Sequence, residues 1–429
     1  MSTPSDAVAR STSAAGAVDA AVPKPREVPR ELRQLFRGAP WAAAAAPIAY
    51  AVQAYFVAIQ VQQFNADTKV SSLATVNALS AVAAMIAQPV FGVLSDRTRS
   101  RFGARRPWML IGALIGALAL ITSGLAPNLA ALVVCAMLVQ FGFNAFQGPF
   151  SALLPDRVPE DLRGRYSTRV GLAIILGAVL GPVMGSLFAH AIPVGYLVTT
   201  GLVMLPILLF VFLVPEADNR DAPQSPFRWS AFLSAFWVNP IRHPDFFWGF
   251  LGRILLFGGY YLLTTYTLYI LQDYIGLSLD RATKLSPLMA VAALPGIVVA
   301  TAIAGPVSDR IGRRKPIVLV AGLLIAGGSA VPLLLPTIAG VLISSAIVGA
   351  GFGAFVAVDQ ALMSSLLPDP DAYAKDLGVL NLAATLPNTI APLAAGGIVL
   401  ALGYRALFIA AFAIALCGAC AVLPIRRVR

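Results

Sequence analysis

Charged residues are scarce in this sequence. Asp, Glu, Lys and Arg make up 12% of the 429 residues, whereas a soluble domain carries roughly 25%. Hydrophobic residues make up 58%. This composition excludes a soluble globular protein and predicts an integral membrane protein.

Histidine and cysteine are also rare, with two His and three Cys. His190 and His243 lie at the ends of apolar segments, and Cys135, Cys417 and Cys420 lie inside such segments. The two neighbouring cysteines lack the nearby histidine or second cysteine pair of a zinc site, so we interpret all three as small buried hydrophobes. We therefore expect no metal and no cofactor. The sequence also contains no motif that pairs a nucleophile with a general base, so nothing in it indicates an enzyme.

Basic residues give the chain a net charge of +11. They are spread over short loops and form no single basic face, so we expect no nucleic-acid partner. Between these loops lie about twelve apolar segments long enough to span a bilayer. The predicted spans are residues 40–63, 70–94, 108–126, 129–153, 166–190, 195–214, 245–272, 283–307, 317–336, 338–363, 377–401 and 404–424. The sequence thus predicts an all-α membrane protein.

Two arginine-rich stretches interrupt these segments, and we call residues 92–107 the first clasp and residues 305–316 the second clasp. Each contains a Ser-Asp-Arg triplet, and the two triplets are 213 residues apart. The Leu-Leu-Pro-Asp sequences at 153–156 and 366–369 are also separated by 213 residues. Two markers at one offset indicate a tandem duplication, so we predict two pseudo-symmetric six-helix bundles, an arrangement typical of transporters.

The basic loops, both clasps and both termini fall on one side of the predicted membrane. The positive-inside rule places that side in the cytoplasm, for a multi-pass protein of the cytoplasmic membrane. We predict a disordered tail at 1–37, a bundle at 38–214, a cytoplasmic linker at 215–244 and a second bundle at 245–429. Aromatic spacing from Phe227 to Trp237 favours an interfacial helix in the linker, with an irregular linker as the alternative.

The second clasp reads Gly305-x-x-x-Asp309-Arg310-x-Gly312-Arg313-Arg314-Lys315. This pattern resembles the cytoplasmic loop motif of the major facilitator superfamily. Its glycine lets two helices approach closely, and its arginines can bind acids of other loops in a forked geometry. We expect the clasps to hold one conformation closed on the cytoplasmic side, although the arginines could instead only fix the topology. The expected gating residues are Gly92, Asp96, Arg97, Arg105, Arg106, Asp156 and Arg163 around the first clasp, and Gly305, Asp309, Arg310, Arg313 and Arg314 in the second.

The longer first clasp resembles that of the glycoside-pentoside-hexuronide cation symporters and, more closely, of the sucrose and proton symporters. The fourth span supports this, since Asn144-x-x-Gln147-Gly148-Pro149 is similar to their fourth helix. The resemblance implies sugar transport by alternating access with proton symport. Two positions depart from it: Gln140 stands where those carriers have a protonatable aspartate, and Ser151 where they have a substrate-contacting arginine.

Polar side chains recur on one face of the fourth span, where Gln140, Asn144, Gln147 and Ser151 follow helical spacing. Amides avoid lipid, so this face should meet protein or water. Neutral amides suit sugar hydroxyls, although they could instead bond neighbouring helices. The candidate substrate-binding residues are Tyr50, Gln53, Gln60, Gln140, Asn144, Gln147, Tyr260, Tyr261, Gln360, Asn381, Thr385 and Asn388.

Two full charges, Asp359 and Arg253, lie roughly 12–14 Å from the cytoplasmic ends of their spans at about 1.5 Å per residue. An ionisable group inside the membrane indicates function, with an opposite charge at equal depth as its natural partner. Asp359 is also the one carboxylate deep in a predicted span. We expect it to be the proton-coupling acid and Arg253 its partner, with a structural ion pair as the alternative.

The sequence as a whole predicts a monomeric secondary transporter that moves a small polar solute, a sugar or glycoside, together with a proton or another cation. Its other partner is the lipid bilayer. An exporter of drugs or secondary metabolites and a transport-inactive membrane sensor remain the alternatives.

Overall fold

The structure is a computed structural model that describes residues 28–220, 242–366 and 373–426, without the side chains of 160, 360, 364, 373–385 and 389. The described residues form long helices and no strand. The helices are α1 Arg33–Phe64, α2 Lys69–Arg97, α3 Arg106–Ser123, α4 Leu129–Arg157, α5 Glu160–Leu187, α6 Ile192–Leu213, α7 Pro244–Thr265, α8 Leu279–Ile311, α9 Lys315–Leu334, α10 Ile338–Ser365, and α11 with α12 within Tyr373–Cys420.

Gly403 divides the last of these helices. Its backbone has φ 79° and ψ 179°, a conformation that glycine adopts readily and other residues avoid. We therefore treat 373–402 as α11 and 404–420 as α12. Eleven helices in the described part of the chain are long and apolar enough to cross a membrane, and this division makes twelve. The predicted all-α membrane fold is confirmed.

The duplication is visible in the helix packing. In the first half α4 packs against α2 and α3, and in the second half α10 packs against α8 and α9 in the same way. Helix α1 packs against α5 and α6, while Gly252 and Gly259 of α7 lie against α12. These repeated pairings confirm two pseudo-symmetric six-helix bundles.

Glycine allows the central helix of each bundle to approach its neighbour. A Cβ on Gly142 of α4 would lie 2.3 Å from the Gly116 nitrogen of α3, and one on Gly353 of α10 would lie 2.4 Å from the Ile297 oxygen of α8. Both distances are far below van der Waals contact. Small residues at such crossings are how membrane helices gain packing energy without a hydrophobic driving force.

Two helix boundaries differ from the sequence prediction. Helix α1 begins at Arg33, inside the range predicted as a tail, because Leu35 and Phe36 pack in the core with 0% and 2% exposure. Helix α7 ends at Thr265 instead of continuing to residue 272, and a π-helical turn, Ile270–Tyr274, follows. The chain leaves helical geometry at Tyr266, with φ −105° and ψ 20°.

The start of the central linker folds back onto the first clasp. The Asn219 side chain accepts a hydrogen bond from the Ser100 nitrogen at 2.9 Å and donates one to the Thr98 oxygen at 2.9 Å. The linker therefore begins as a docked segment. The aromatic stretch from Phe227 to Trp237, the tail up to residue 27 and the second Leu-Leu-Pro-Asp sequence beyond residue 366 lie outside the described residues.

Candidate functional site

A cavity of about 740 Å³ lies between the two bundles. Side chains of α1, α2, α4 and α5 form one wall, and those of α7 to α12 form the other. No Asp, Glu, Lys, Arg or His lines it within the described part of the chain. Its size falls in the range of sites for small organic molecules, and its polar groups are neutral amides and hydroxyls.

The fourth-span stripe faces this cavity as predicted for Gln140, Asn144 and Gln147. The Asn144 amide nitrogen donates to the Tyr50 hydroxyl at 2.9 Å and to the Gln140 backbone oxygen at 2.8 Å. This leaves the Asn144 carbonyl oxygen and the Tyr50 hydroxyl proton available to a solute. Ser151 does not line the cavity, since it lies further along α4 with its hydroxyl on the Gly148 oxygen.

Two of the three candidate substrate-binding residues on α1 do not reach the cavity. The Gln60 amide donates to the Ser123 oxygen at 2.8 Å and accepts from the Tyr196 hydroxyl at 3.0 Å. Gln53 is 4% exposed and also lies outside the lining. Gln53 and Gln60 are seven residues apart and so share one face of α1, and the hydrogen bonds of Gln60 place its side chain inside the first bundle. Gln60 thus makes the interhelical hydrogen bonds of the alternative interpretation, and of Tyr50, Gln53 and Gln60 only Tyr50 lines the cavity.

Helix α2 contributes a polar face that the sequence reasoning missed. Asn77, Ser80 and Gln88 line the cavity together with Ala81, Ala84 and Met85. Ser80 is 6% exposed, and its hydroxyl has no hydrogen-bond partner in the described chain. These three residues lie at i, i+3 and i+11, a spacing that fits one helix face. The apolar residues between them hide this pattern in the sequence.

The opposite wall is aromatic and hydroxylated. Tyr260 and Tyr261 line the cavity as predicted, and the Tyr260 ring stacks on Phe352 with centroids 3.9 Å apart. Asn388 of α11 also lines it. The remaining candidates Gln360, Asn381 and Thr385 have side chains outside the described residues. This wall offers flat apolar surfaces opposite the amides of α2 and α4.

The two intramembrane charges meet inside the second bundle. The Arg253 Nε lies 3.2 Å from Asp359 Oδ2, with side chains 6% and 5% exposed. Neither residue lines the cavity. Neither Nε nor Nη1 of Arg253 makes a hydrogen bond with a described residue. Unsatisfied buried donors cost about 1–3 kcal/mol each, which offsets part of the attraction between the two charges.

The first clasp forms a closed charge cluster within its own bundle. The Arg105 guanidinium contacts Asp96, lies 2.9 Å from Asp156 Oδ2 and donates to the Ser95 hydroxyl at 2.6 Å. Sequence reasoning missed Glu216, whose carboxylate accepts hydrogen bonds from the backbone nitrogens of Arg105 and Arg106 at 2.9 and 3.1 Å. An acid at the start of α3 satisfies free N–H groups and complements the helix dipole.

Other predicted gating residues near the first clasp lie around this cluster. Arg163 donates to the Val158 oxygen at 3.2 Å, and Gly92 lies next to the backbone of Gly148 on α4. Arg106 and Arg97 are only partly exposed. The predicted residues of the first clasp are therefore brought together on one side of the bundle.

The second clasp is more open. Asp309, Arg310 and Arg313 are exposed, whereas Arg314 reaches the Ala361 oxygen of α10. Gly305 has open space around it. Asp309 makes no ion pair with another described residue. The two clasps thus differ in this conformation, although their sequences follow one plan.

Contacts between the bundles lie at the cavity end opposite the clasps. The Tyr55 hydroxyl donates to the Thr283 oxygen at 2.6 Å, and that of Tyr269 donates to the Ala58 oxygen at 2.9 Å. Lys69 of α2 binds Asp273 at 2.6 Å. These bonds join the bundles across that end of the cavity.

Comparison with known proteins gives relatives among membrane carriers. General alpha-glucoside permease of Schizosaccharomyces pombe is 29% identical over 119 residues, 24% of this chain and 22% of the permease. Sucrose transport protein SUT3 of Oryza sativa subsp. indica is 30% identical over 132 residues, 24% of this chain and 25% of that protein. Sialic acid transporter NanX of Escherichia coli is 26% identical over 247 residues, 55% and 56% of the two chains. The chain thus spans from about a quarter to just over half of the length of these relatives.

Solved structures share the fold at low identity. A mutant of nucleoside transporter NupG has a TM-score of 0.68 at 12% identity, covering 90% of this chain and 98% of its own. A bacterial homolog to the human lysosomal transporter Spinster, inward-facing and unoccupied, has a TM-score of 0.64 at 15% identity, with 93% and 95% covered.

The family model described as Major Facilitator Superfamily matches residues 41–368 and 288–429. These matches include both clasps and nearly all of the membrane helices. With the twelve-helix fold, they indicate a transporter rather than an enzyme, and the chain belongs to the major facilitator superfamily.

Proposed function

We propose that this chain carries a small uncharged polar solute, a sugar or glycoside, across the cytoplasmic membrane by alternating access, as a proton symporter. The observation that carries the proposal is the cavity lining, in which amides and hydroxyls of α2 and α4 face tyrosines of α7 and no described charge intervenes. Three relatives, named as an alpha-glucoside permease, a sucrose transport protein and a sialic acid transporter, support a sugar-like solute.

The chemistry of the two walls fits a sugar. Amides both donate and accept hydrogen bonds, so Gln88, Gln140 and Gln147 can match a run of hydroxyl groups. The flat ring of Tyr261 offers an apolar surface to the C–H face of a sugar ring. A carboxylated sugar would need a cation that the described lining lacks, because a buried unpaired charge is costly. We therefore expect neutral sugars to be preferred over sialic acid.

The side of the membrane to which the cavity opens follows from the charge distribution. Arginines gather at the clasp side, which the positive-inside rule assigns to the cytoplasm together with both termini. The contacts of Tyr55, Lys69 and Tyr269 then close the outer side, so this conformation faces the cytoplasm. Transport requires these bonds to break while the clasp side closes, and a solute can shift that equilibrium only by binding the two states unequally.

Asp359 is the proposed proton carrier. A carboxylate that is 3% exposed has little access to water, so its charged form depends on Arg253. When the pair separates, a proton from the outer side binds an Asp359 oxygen and neutralises it. When the pair re-forms toward the cytoplasm, the same proton is released there and Asp359 again faces the guanidinium. Gln140 cannot serve in this role because an amide does not titrate.

Proteoliposome uptake tests this proposal. Radiolabelled sucrose, maltose, uridine and sialic acid are each supplied with and without a pH gradient that drives protons inward. We expect at least one neutral sugar to accumulate, more strongly with the gradient, and sialic acid to be excluded. Uptake of sialic acid alone, or no uptake of sugar, would overturn the solute assignment. Accumulation indifferent to the gradient would overturn the coupling, and outward pumping of apolar dyes instead of sugar would favour the exporter alternative.

A further inference from the structure

Phe257 lies between the intramembrane ion pair and the cavity. On α7 it is one turn from Arg253 and one turn from Tyr261, so all three share one helix face. The Arg253 guanidinium carbon is 5.7 Å from the Phe257 ring centroid. On its other side, Phe257 stacks with Tyr261 at 6.1 Å and an interplanar angle of 13°. The ring touches the arginine of the pair and a tyrosine of the cavity wall.

Helix α10 presents a matching row to this face. Phe355 meets the edge of Phe257 with centroids 5.4 Å apart, and it precedes Asp359 by one helical turn. Phe352, one turn earlier, also contacts Phe257 at 5.7 Å and stacks on the cavity-lining Tyr260. Aromatic rings packed at protein density cannot move independently, so a displacement of one is felt by its neighbours.

We propose that Phe257 is a positioning residue that couples occupancy of the cavity to the Arg253–Asp359 ion pair. The proposal rests on the proposed role of Asp359 in proton transport. Solute bound against Tyr261 shifts that ring, Phe257 follows, and the guanidinium moves relative to Asp359. The carboxylate then takes a proton from water on the open side, while Arg253 stays charged. Binding linkage is reciprocal, so titration of Asp359 must also change the environment of the cavity wall.

Among the described residues, the helices around Asp359 carry few other groups that could titrate. Helix α8 carries no charged residue between 285 and 308, and α9 has only Lys315, at its start. Helix α7 supplies Arg253 and, at its first turn, Asp245. Arg314 binds the Ala361 oxygen from the second clasp, and Tyr260 and Tyr261 lie beyond Phe257. A pH response of the cavity wall near Tyr261 should therefore report on the ion pair.

A fluorine reporter tests this coupling without a known solute. Thr264, a cavity residue one turn from Tyr260, is changed to cysteine in a chain whose three natural cysteines are replaced by alanine, and it is labelled with a trifluoromethyl thiol reagent. The fluorine NMR shift is followed against pH in nanodiscs. We expect a titration in the parent, a loss of at least fivefold in amplitude with Phe257→Leu, and recovery with Phe257→Tyr, which keeps the ring.

Controls separate this proposal from the one on which it rests. Phe146→Leu removes a fully buried ring of the first bundle, outside the cavity lining and the ion pair, and should leave the titration unchanged. Phe257→Met provides a second variant if the leucine variant does not fold. Retention of the titration in Phe257→Leu or Phe257→Met, or no titration in the parent, overturns the coupling by Phe257. Retention in Asp359→Asn instead shows that Asp359 is not the titrating acid and overturns the proposed proton carrier.

Discussion

Lys69 at the start of α2 and Asp273 in the turn after α7 form an ion pair across the two bundles, with Nζ 2.6 Å from Oδ1. The same carboxylate accepts a hydrogen bond from the Tyr404 hydroxyl at 2.7 Å. The Lys69 ammonium also lies 5.0 Å from the Tyr269 ring centroid. A single carboxylate therefore joins α2, α12 and the π-helical turn at the end of the cavity opposite the clasps.

Asp273→Asn should loosen this end of the transporter. A partly exposed ion pair contributes about 0.2–1 kcal/mol, which corresponds to a population shift of about 1.4- to 5-fold toward the conformation open on that side. The measurement is the rate at which a membrane-impermeant maleimide, added opposite the clasps, labels Ser80→Cys in a cysteine-free background. His190→Gln is the control, because its exposed ring lies 3.4 Å from Asp280 and should contribute little. An unchanged rate in Asp273→Asn would assign closure to the tyrosine hydrogen bonds instead.

Asp96→Ala should slow transport without unfolding the protein. Arg105 would keep Asp156 as a partner, so the fold persists while the charge cluster present in this conformation loses one ion pair. We expect uptake to fall about threefold, from ~0.7 kcal/mol lost, with near-normal expression and thermal unfolding. Asp309→Ala in the second clasp is the matched comparison and should change the population open on the clasp side less. Normal uptake by Asp96→Ala would reduce the first clasp to a topology signal.

Asn144→Leu should weaken solute binding. Loss of a buried hydrogen-bond partner costs about 1–3 kcal/mol, or about 5- to 150-fold in Kd for the sugar taken up in the uptake panel. Gln60→Leu is the control, since its amide bonds Ser123 and Tyr196 inside the first bundle. That variant should keep the Kd and lower the Tm. Equal Kd values for Asn144→Leu and the parent would show that the α4 stripe serves packing only.

Asp359→Asn should abolish accumulation against a gradient and keep downhill exchange, because the amide cannot carry a proton. Leaving Arg253 unpaired destabilises the protein by about 3–5 kcal/mol, so the single variant could fail for lack of folding. The double variant Arg253→Met with Asp359→Leu avoids a buried charge and provides the second test. It should exchange solute freely without responding to pH. Wild-type pH dependence of accumulation in either variant would exclude Asp359.

The fold could be predicted from the sequence because its signals are local. Spanning segments are read from runs of apolar residues, and the duplication from two short markers at one offset. The break of α7 at Tyr266 was not predictable in this way. It depends on hydroxyl contacts of that turn with distant carbonyls, such as the one between Tyr269 and Ala58.

The candidate site was predictable only in part. Helical spacing identified three cavity residues of α4, whereas Ser151 on the same predicted face lies outside the cavity. The same rule could not tell that Gln60 points into a bundle, because amides avoid lipid in both settings. The polar residues of the α2 face were hard to recognise in the sequence because alanines lie between them. Glu216 was invisible to spacing arguments, since its partners Arg105 and Arg106 lie 110 residues away or more.

The joint at Gly403 has a mechanical consequence. Because only one non-helical residue separates them, α11 and α12 have no flexible loop at that end. Tyr404, immediately after the joint, donates a hydrogen bond to Asp273. We therefore expect the two helices to pivot about this corner during gating, with their largest displacement at the far ends. Lengthening the corner by two or three glycines would uncouple the two helices, so that motion of α11 along the cavity would no longer be passed to α12.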